Sequence, residues 1–186
     1  MNLQQAPIFR MYKLVINPDD RQAFLDEGAN NFQTSFKNEA NTLMMLSSHL
    51  DTAGTINFVF EMYKDNASYQ IHANSPQFKR YGQLAQKIVK EKSLQELEPL
   101  FLDVSQLKLS KAKVRVTHFS SFDESKFAPQ KVLEGLMIAK NDDGYLSVEV
   151  SSSSRFNDFS NVGKIEQVTD LQLDNFVCHG VKFLAK

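Results

Sequence analysis

A glutamate, a tyrosine and a histidine follow one another closely in the chain and could together move a proton. Glu61 and Tyr63 lie on one face of a predicted strand, Ile56–Tyr63, because successive side chains of a strand point to opposite faces. His72 lies on the short helix that is predicted next. An imidazole titrates near neutral pH, so it can exchange a proton with a phenol or an enol. These three side chains are the candidate catalytic residues.

Each of the three side chains also has an ordinary structural role open to it. Glu61 could orient His72 or bind a hydroxyl, but it could equally pair with a Lys or Arg at an interface, since an unpaired buried carboxylate is costly. Tyr63 could contact a ligand through its hydroxyl or simply pack at the end of a strand. His72 could instead bond a carbonyl at the end of its helix. The sequence leaves these alternatives open.

Other kinds of chemistry find little support in the sequence. Cys178 and His179 are adjacent, but no third group completes a thiol nucleophile site. The histidines show no metal-ligand spacing. The glycines are isolated, so there is no phosphate-binding loop for a flavin or a nicotinamide. We therefore expect neither a metal nor a cofactor.

The elements that would position these residues follow a known order. Apolar alternation predicts strands, helical spacing of apolar residues predicts helices, and Ser75-Pro76 separates two helices because the residue before a proline leaves the helical region. The predicted elements are strand 8–16, helix 19–37, strands 42–49 and 56–63, helices 66–73 and 76–91, and strand 100–109. This is the β-α-β-β-α-β order of a ferredoxin-like sheet.

The second part of the chain repeats this order in a shorter form. Its predicted elements are strand 113–119, helix 127–140, and strands 145–150, 164–168 and 176–184. Three residue types recur at an offset of 105 residues: Glu61 and Glu166, Asp65 and Asp170, and Phe78 and Phe183. The order of the elements is the better evidence. We predict a full ferredoxin-like domain over residues 1–110 and a second, shorter one over residues 111–186.

Composition excludes several classes of protein. The chain has 186 residues, 42% of them hydrophobic, which is enough for a buried core. It carries 21 Lys and Arg against 22 Asp and Glu, so it lacks the basic surplus of a nucleic-acid-binding protein. The single cysteine fits a reducing compartment, and no signal peptide or membrane-spanning apolar run is apparent. We expect a cytoplasmic protein that binds neither nucleic acid nor membrane.

The stretch from Phe60 to Phe78 resembles a known family. It reads Phe-Glu-x-Tyr-x-Asp-x-Ala-x4-His-x2-Ser-Pro-x-Phe. This pattern is similar to that of the antibiotic biosynthesis monooxygenases, a family of dimeric α/β barrels. Within the family it is most similar to the branch of quinol monooxygenase-like and autoinducer-2 degradation proteins. The resemblance covers residues 7–105, and for residues 111–186 it extends to the fold only.

The resemblance implies an enzyme that works without a cofactor on a small aromatic or quinol-type substrate. It gives His72 the acid/base role and gives Glu61 and Tyr63 the role of orienting the substrate. The residues that would contact the substrate are Asn57, Phe58, Phe60 and Phe78. The sequence departs from the pattern at Gln77, where the branch usually has a histidine. It also lacks tryptophan, which the haem-degrading members use, so haem degradation is not expected.

We therefore expect an α+β fold of two tandem ferredoxin-like units. In this hypothesis residues 111–186 take the place of a partner subunit, giving an internal pseudo-dimer, and further association into homodimers is left open. The expected function is a monooxygenase-like enzyme with a small-molecule substrate. The alternative is a non-catalytic binding or stress-response module, which Gln77 and the reduced second unit favour. A closed, water-poor cavity next to His72 would favour the enzyme, whereas a cavity filled by Phe and Met side chains would favour the module.

Overall fold

The computed structural model describes residues 1–104, 112–127 and 134–185. These residues form two compact units that are discontinuous in sequence. The first unit contains Pro7–Glu96 and Leu173–His179, and the second contains Met1–Ala6, Leu97–Gln172 and Gly180–Lys186. Within the described ranges no helix is long and apolar enough to cross a membrane.

The first unit has the predicted order of elements. They are β1 (Ile8–Ile16), α1 (Arg21–Asn38, preceded by a 3-10 turn at Pro18–Asp20), β2 (Thr42–His49), β3 (Ile56–Tyr63), α2 (Asn66–Asn74), α3 (Pro76–Ile88) and the first part of β4 (Val89–Asp103). The pairing of β1 with β3 and of β2 with β3 is antiparallel. This α+β, ferredoxin-like architecture confirms the predicted fold class.

The strand β3 lies between β1 and β2 and places its residues on two distinct faces. Arg10 of β1 lies directly opposite Glu61, and Met45 of β2 lies opposite it on the other side. Because side chains alternate along a strand, Val59, Glu61 and Tyr63 share one face. The predicted alternation of β3 is therefore what sets the direction of the candidate residues.

The helices α1 and α3 pack on that same face of the sheet. Their contact with the strands forms one apolar cluster, made of Leu14, Ile16, Phe24, Phe32, Met45, Val59 and Ile88. Burial of each such side chain contributes about 1.5–3 kcal/mol before the cost of ordering the chain. Since Val59 belongs to this cluster, Glu61 lies under the helices, not on the outer face of the sheet.

The corner between β3 and α3 has the predicted caps. Asp65 accepts hydrogen bonds from the backbone N–H of Ser68 at 2.8 Å and from its hydroxyl at 2.6 Å, which begins α2. Ser75 is extended, with ψ of 148°, so it ends α2 and then caps α3 through the N–H of Phe78. Pro76 occupies the first turn of α3, where its missing N–H costs nothing. These caps fix where α2 and α3 lie over β3.

The second unit differs from the prediction at three elements. Its strands are β5 (Lys113–Phe122), β6 (Gly135–Asn141), β7 (Gly144–Ser151), the first part of β8 (Gly163–Cys178), the last part of β4, and β9 (Lys182–Leu184). The helix predicted over 127–140 is wrong for its second half, which is β6; residues 128–133 lie outside the described residues. The strands predicted over 164–168 and 176–184 are instead the long β8 and the short β9.

The reason for the wrong helix is visible in the burial of β6. The strand lies between β7 and β4, and its residues from Gly135 to Ala139 are buried whichever face they point to. A short apolar run of this kind has no alternation, so periodicity cannot separate it from a buried helix. The start of β4 was missed for a different reason, because its residues from Lys90 to Leu94 are exposed and carry no apolar alternation. The helix predicted to residue 91 ends at Ile88, and β4 begins at Val89, before the predicted strand at residue 100; residues 105–109 of that predicted strand lie outside the described residues.

The predicted single boundary and the observed units describe different divisions of the chain. The longest strands, β4 and β8, each contribute residues to both units. The predicted boundary at residue 110 lies outside the described residues, and the domain limits and the internal pseudo-dimer stay predictions.

The cap at Asp65 gives a test of this corner. Replacing Asp65 with Ala should lower the free energy of unfolding by about 1 kcal/mol, because the first N–H groups of α2 lose their acceptor. Asp65→Asn is the matched control, since asparagine caps about as well. Urea unfolding of both variants measures the difference. Equal losses in the two variants would show that the cap does not hold α2.

Candidate functional site

A cavity of about 410 Å³ lies in the first unit on the helix-covered face of the sheet. Its volume falls within the range of small-molecule sites, roughly 300–1,000 Å³. Its wall is formed by Tyr12 and Leu14 of β1, Val59 and Glu61 of β3, Phe78, Tyr81, Gly82, Ala85 and Gln86 of α3, and Val89 and Lys92 of β4. Most of this wall is aliphatic or aromatic, and Glu61 is its one carboxylate.

The carboxyl group of Glu61 is buried but only partly bonded. The residue is 5% exposed, and its Oε2 accepts a hydrogen bond of 2.9 Å from the Tyr63 hydroxyl. Among the described residues no hydrogen-bond donor reaches Oε1. Burial raises the pKa of Glu61 above its ordinary value, and the nearby His72 and the Tyr63 hydrogen bond offset this only in part. Glu61 is therefore a carboxylate with raised proton affinity in the wall of an apolar cavity.

Two tyrosines give the cavity further polar groups. Burial raises the pKa of the Tyr81 hydroxyl, and the charge of Glu61 raises it further. The pKa of Tyr12 is raised by the same two causes in the same order. Both hydroxyls therefore stay protonated at neutral pH and can donate hydrogen bonds. The Nζ of Lys92 lies 5.1 Å from the centre of the Tyr12 ring, which places a positive charge at the wall of the cavity.

His72 is buried behind the cavity and is not part of its wall. Its Nδ1 lies 3.0 Å from Oε2 of Glu39, and because a carboxylate can only accept, Nδ1 carries the hydrogen. The imidazole packs against Phe78 at 4.8 Å and Tyr63 at 5.3 Å between ring centres. Its Nε2 is buried without a hydrogen-bond partner among the described residues. His72 thus acts on Glu61 through its charge and through Tyr63.

Glu39 is the centre of this buried network, and sequence reasoning missed it. Its Oε2 also accepts from the Thr42 hydroxyl at 2.6 Å, and its Oε1 accepts from Nε2 of Gln77 at 2.6 Å. Burial alone would raise the pKa of Glu39, but the hydrogen bonds from His72 and Thr42 outweigh it and the pKa is lowered. Glu39 follows the end of α1 at no recognisable spacing from His72, so no pattern in the sequence points to it.

The network also gives Gln77 a role. Position 77 is where the family resemblance led us to expect a histidine. In the structure its amide donates to Glu39 and, at 3.1 Å, to Ser35, whose hydroxyl also lies 3.2 Å from Nδ1 of His72. Gln77 therefore stabilises the Glu39 carboxylate, which in turn binds His72. This role needs a hydrogen-bond donor at position 77 and not a titratable group.

The structure brings together only some of the predicted site residues. Glu61 and Phe78 line the cavity, and Tyr63 and His72 support them from behind. Phe58 and Phe60 point to the opposite face of β3, and neither contributes to the cavity wall. Alternation along the strand separates them from Glu61.

Asn57 also lies away from the cavity, at the other end of β3. Its Oδ1 accepts from Arg21 at 2.6 Å, and its Nδ2 donates to the carbonyl of Gly54 at 3.0 Å. Arg21 in turn pairs with Asp174 at 2.6 Å. Asn57 therefore stabilises a turn and does not meet a ligand in the cavity.

Within the described ranges, no cluster of His, Cys, Asp or Glu side chains could hold a metal ion.

Comparison with known proteins agrees with this architecture. Residues 7–84 match the family described as antibiotic biosynthesis monooxygenase. That range contains α1, α2 and most of α3. It also contains the residues of the cavity wall except Ala85, Gln86, Val89 and Lys92. No curated protein matches the chain.

Solved structures of similar fold cover the whole chain. A Lactobacillus acidophilus protein, provisionally described as a monooxygenase, superposes with a TM-score of 0.76 at 17% identity and covers 98% of this chain and 100% of its own. A Fusobacterium nucleatum protein with the same description has a TM-score of 0.80 at 12% identity, covering 99% and 100%. An anthrone oxidase-like protein has a TM-score of 0.57 at 10% identity and covers 98% of each chain. At these identities the similarity shows the fold alone.

The raised pKa of Glu61 predicts how stability depends on pH. The folded state favours the protonated acid, so this contribution is fully present below the unfolded pKa of about 4.3 and is lost as pH rises through the folded pKa. Glu61→Gln lacks this loss. The Tm of the variant relative to the wild type should therefore increase as pH rises from 4 to 8, by about 2–4 °C for each kcal/mol. Glu98→Gln, at an exposed position, is the control; a pH-independent difference for Glu61→Gln would contradict the prediction.

The buried pair of Glu39 and His72 predicts a large cost when one partner is removed. Glu39→Ala leaves the imidazole buried without its acceptor and should lower the free energy of unfolding by about 3–5 kcal/mol. Glu39→Gln keeps an acceptor oxygen and should cost clearly less. Urea unfolding at neutral pH compares the two. If Glu39→Ala unfolds within about 0.5 kcal/mol of the wild type, the network does not hold this region.

Proposed function

We propose that this protein is a cofactor-independent, monooxygenase-like enzyme that acts on a small aromatic or quinol-type molecule bound in the cavity beside Glu61. The observation that carries the proposal is the half-bonded, buried carboxylate of Glu61 in a mostly apolar and aromatic wall. Such a wall suits a flat, apolar substrate, and the one free carboxylate oxygen suits a single acidic hydrogen on it. The match of residues 7–84 supports the same reaction class.

Glu61 acts as the general base in this proposal. Its raised pKa brings its proton affinity closer to that of a phenol, so proton transfer to Oε1 is less uphill than to an ordinary carboxylate. Tyr63 holds Oε2 and thereby leaves Oε1 directed at the substrate. His72 is a positioning residue, because it packs on Tyr63 and stabilises the charged form of Glu61 without meeting the cavity. This modifies the role that the family resemblance assigned to it.

Loss of the proton leaves an electron-rich anion, which is the form of such molecules that reacts with oxygen directly. At an activated methylene carbon the carbon becomes a carbonyl, one oxygen atom stays in the product, and the other leaves as water. The substrate supplies every electron that oxygen accepts, so no cofactor enters the balance. The Tyr12 and Tyr81 hydroxyls remain protonated and can donate to the oxyanion of the substrate.

The alternative function is binding without turnover, and one observation favours it. His72, the residue that the family resemblance would make the acid/base, is completely buried and bonded to Glu39. A protein that kept only the cavity would bind the same aromatic molecules and leave them unchanged. The space beside Glu61 is not filled by Phe and Met side chains, so the filled cavity that would have favoured the module is not found there.

Oxygen uptake with a panel of quinols and anthrone-like phenols tests the proposal. Glu61→Gln should lower turnover roughly 100-fold or more, because the base is lost while the shape of the cavity is kept. Glu98→Gln should leave it unchanged. Binding is measured in parallel with 2-naphthol, whose fluorescence reports its ionisation and meets no background from tryptophan, since the chain has none. Naphthol binding without oxygen uptake on any member of the panel would support the binding module and contradict the enzyme.

A further inference from the structure

The second unit carries the same charged residues as the first at the same positions of its strands. In each unit the third residue of the first strand is an arginine, the sixth residue of its partner strand is a glutamate, and the eighth residue of the long strand is acidic. These residues are Arg10, Glu61 and Glu96 in β1, β3 and β4, and Arg115, Glu149 and Asp170 in β5, β7 and β8.

The contacts of these residues also match. In each unit the arginine lies opposite the glutamate on one side and binds the acidic residue of the long strand on the other. The arginine-to-acid distances are 2.9 Å for Arg10 and Glu96, and 2.7 Å for Arg115 and Asp170. One set of strand positions therefore builds the same arrangement twice, each time within its own unit.

An aromatic ring completes both arrangements. The guanidinium carbon of Arg10 lies 4.1 Å from the centre of the Tyr69 ring, and that of Arg115 lies 4.2 Å from the centre of the Phe156 ring. Each ring comes from the segment that follows the strand of the glutamate. Agreement in register, ion pair and ring stacking is more than a shared fold requires, since the charges themselves are repeated.

Each glutamate has one oxygen that accepts a hydrogen bond and one oxygen without a donor among the described residues. In Glu61 the bonded oxygen accepts from Tyr63, and the residue lines the cavity. In Glu149 the bonded oxygen accepts from Asn157, whose backbone N–H and side-chain amide donate to Oε1 at 2.7 and 2.5 Å. The other oxygen of Glu149 is buried without a partner among the described residues, and burial raises the pKa of this carboxyl.

We propose that Asn157 is a built-in ligand that closes a second copy of the Glu61 site, so that each chain binds one small molecule, and binds it at Glu61. Asn157 supplies the N–H donors that a bound substrate supplies with its acidic hydrogen at Glu61. The choice of an aromatic hydroxyl compound as ligand rests on the proposed function; the closure of the Glu149 site by Asn157 does not.

Calorimetric titration with 2-naphthol tests the number of sites. The wild type should bind one equivalent per chain, and Glu61→Gln should weaken that binding at least tenfold, since it removes a hydrogen bond to a charged group. Glu149→Gln is the same chemical change at the matching position and should leave affinity and stoichiometry unchanged. Two equivalents in the wild type, or equal losses in both variants, would overturn the proposal.

A second measurement needs no ligand. The backbone N–H of Asn157 should be protected from hydrogen exchange in the wild type, and Glu149→Ala should accelerate its exchange roughly tenfold or more. Glu149→Gln keeps an acceptor oxygen and serves as the control if the alanine variant does not fold. An unprotected Asn157 amide in the wild type would overturn the closure. If naphthol does not bind at all, the ligand class of the proposed function fails, while amide exchange still decides the role of Asn157.

Discussion

The burial of one carboxylate, that of Glu61, is the constraint on which the first unit depends. A buried charge without partners costs several kcal/mol, so the surroundings must compensate it or it takes up a proton. Tyr63 donates to one oxygen, and the positive charges of Arg10 and His72 lie near enough to lower the pKa in part. The compensation is incomplete, because the pKa remains raised and one oxygen has no donor. A ligand in the cavity can therefore donate the hydrogen bond that Glu61 lacks.

The network around His72 shows how far that compensation extends. Glu39 and Gln77 meet neither the cavity nor Glu61, yet they fix the imidazole that faces Tyr63. An imidazole held by a carboxylate of lowered pKa keeps one orientation behind the site and does not meet a substrate in the cavity. A glutamine at position 77 is therefore compatible with the proposed site, because this residue acts as a donor to Glu39.

The parts of the fold that the sequence predicted well are those with a clear period. The bounds of β1 and β3 match the predicted ones because β1 is rich in β-branched and aromatic residues and β3 alternates. Asp65 and Ser75-Pro76 mark the helix ends by their chemistry. The bounds of β2 also match, although this strand is buried without alternation. The strand β6 was predicted as a helix because it is buried on both faces. Glu39 and Asn157 could not be found from spacing, since each reaches its partner through tertiary packing. Phe58 and Phe60 were predicted to contact the substrate, but alternation along β3 places them on the face opposite to the cavity.

The internal repeat was predicted at one constant offset, and the structure shows why that fails. The matching arginines, Arg10 and Arg115, are 105 residues apart, whereas the glutamates Glu61 and Glu149 are 88 apart. Glu61 thus corresponds to Glu149 and not to Glu166. The spacing from the glutamate to the acid on the long strand is 35 residues in the first unit and 21 in the second, where that acid is Asp170.

This shortening and the closure of the second site have one cause. In the first unit the longer connection forms α2 and α3, and α3 supplies much of the wall that shapes the cavity above the carboxylate. In the second unit residues 152–162 form no helix, so this connection supplies no layer like α3 over Glu149. The buried carboxylate still needs a donor, and the shortened chain supplies it directly through Asn157. The connection between β7 and β8 is too short to form helices over Glu149, but it is long enough to place Asn157 against this carboxylate. The same arrangement of strands therefore gives an open cavity beside Glu61 in the first unit and an internal hydrogen bond to Glu149 in the second.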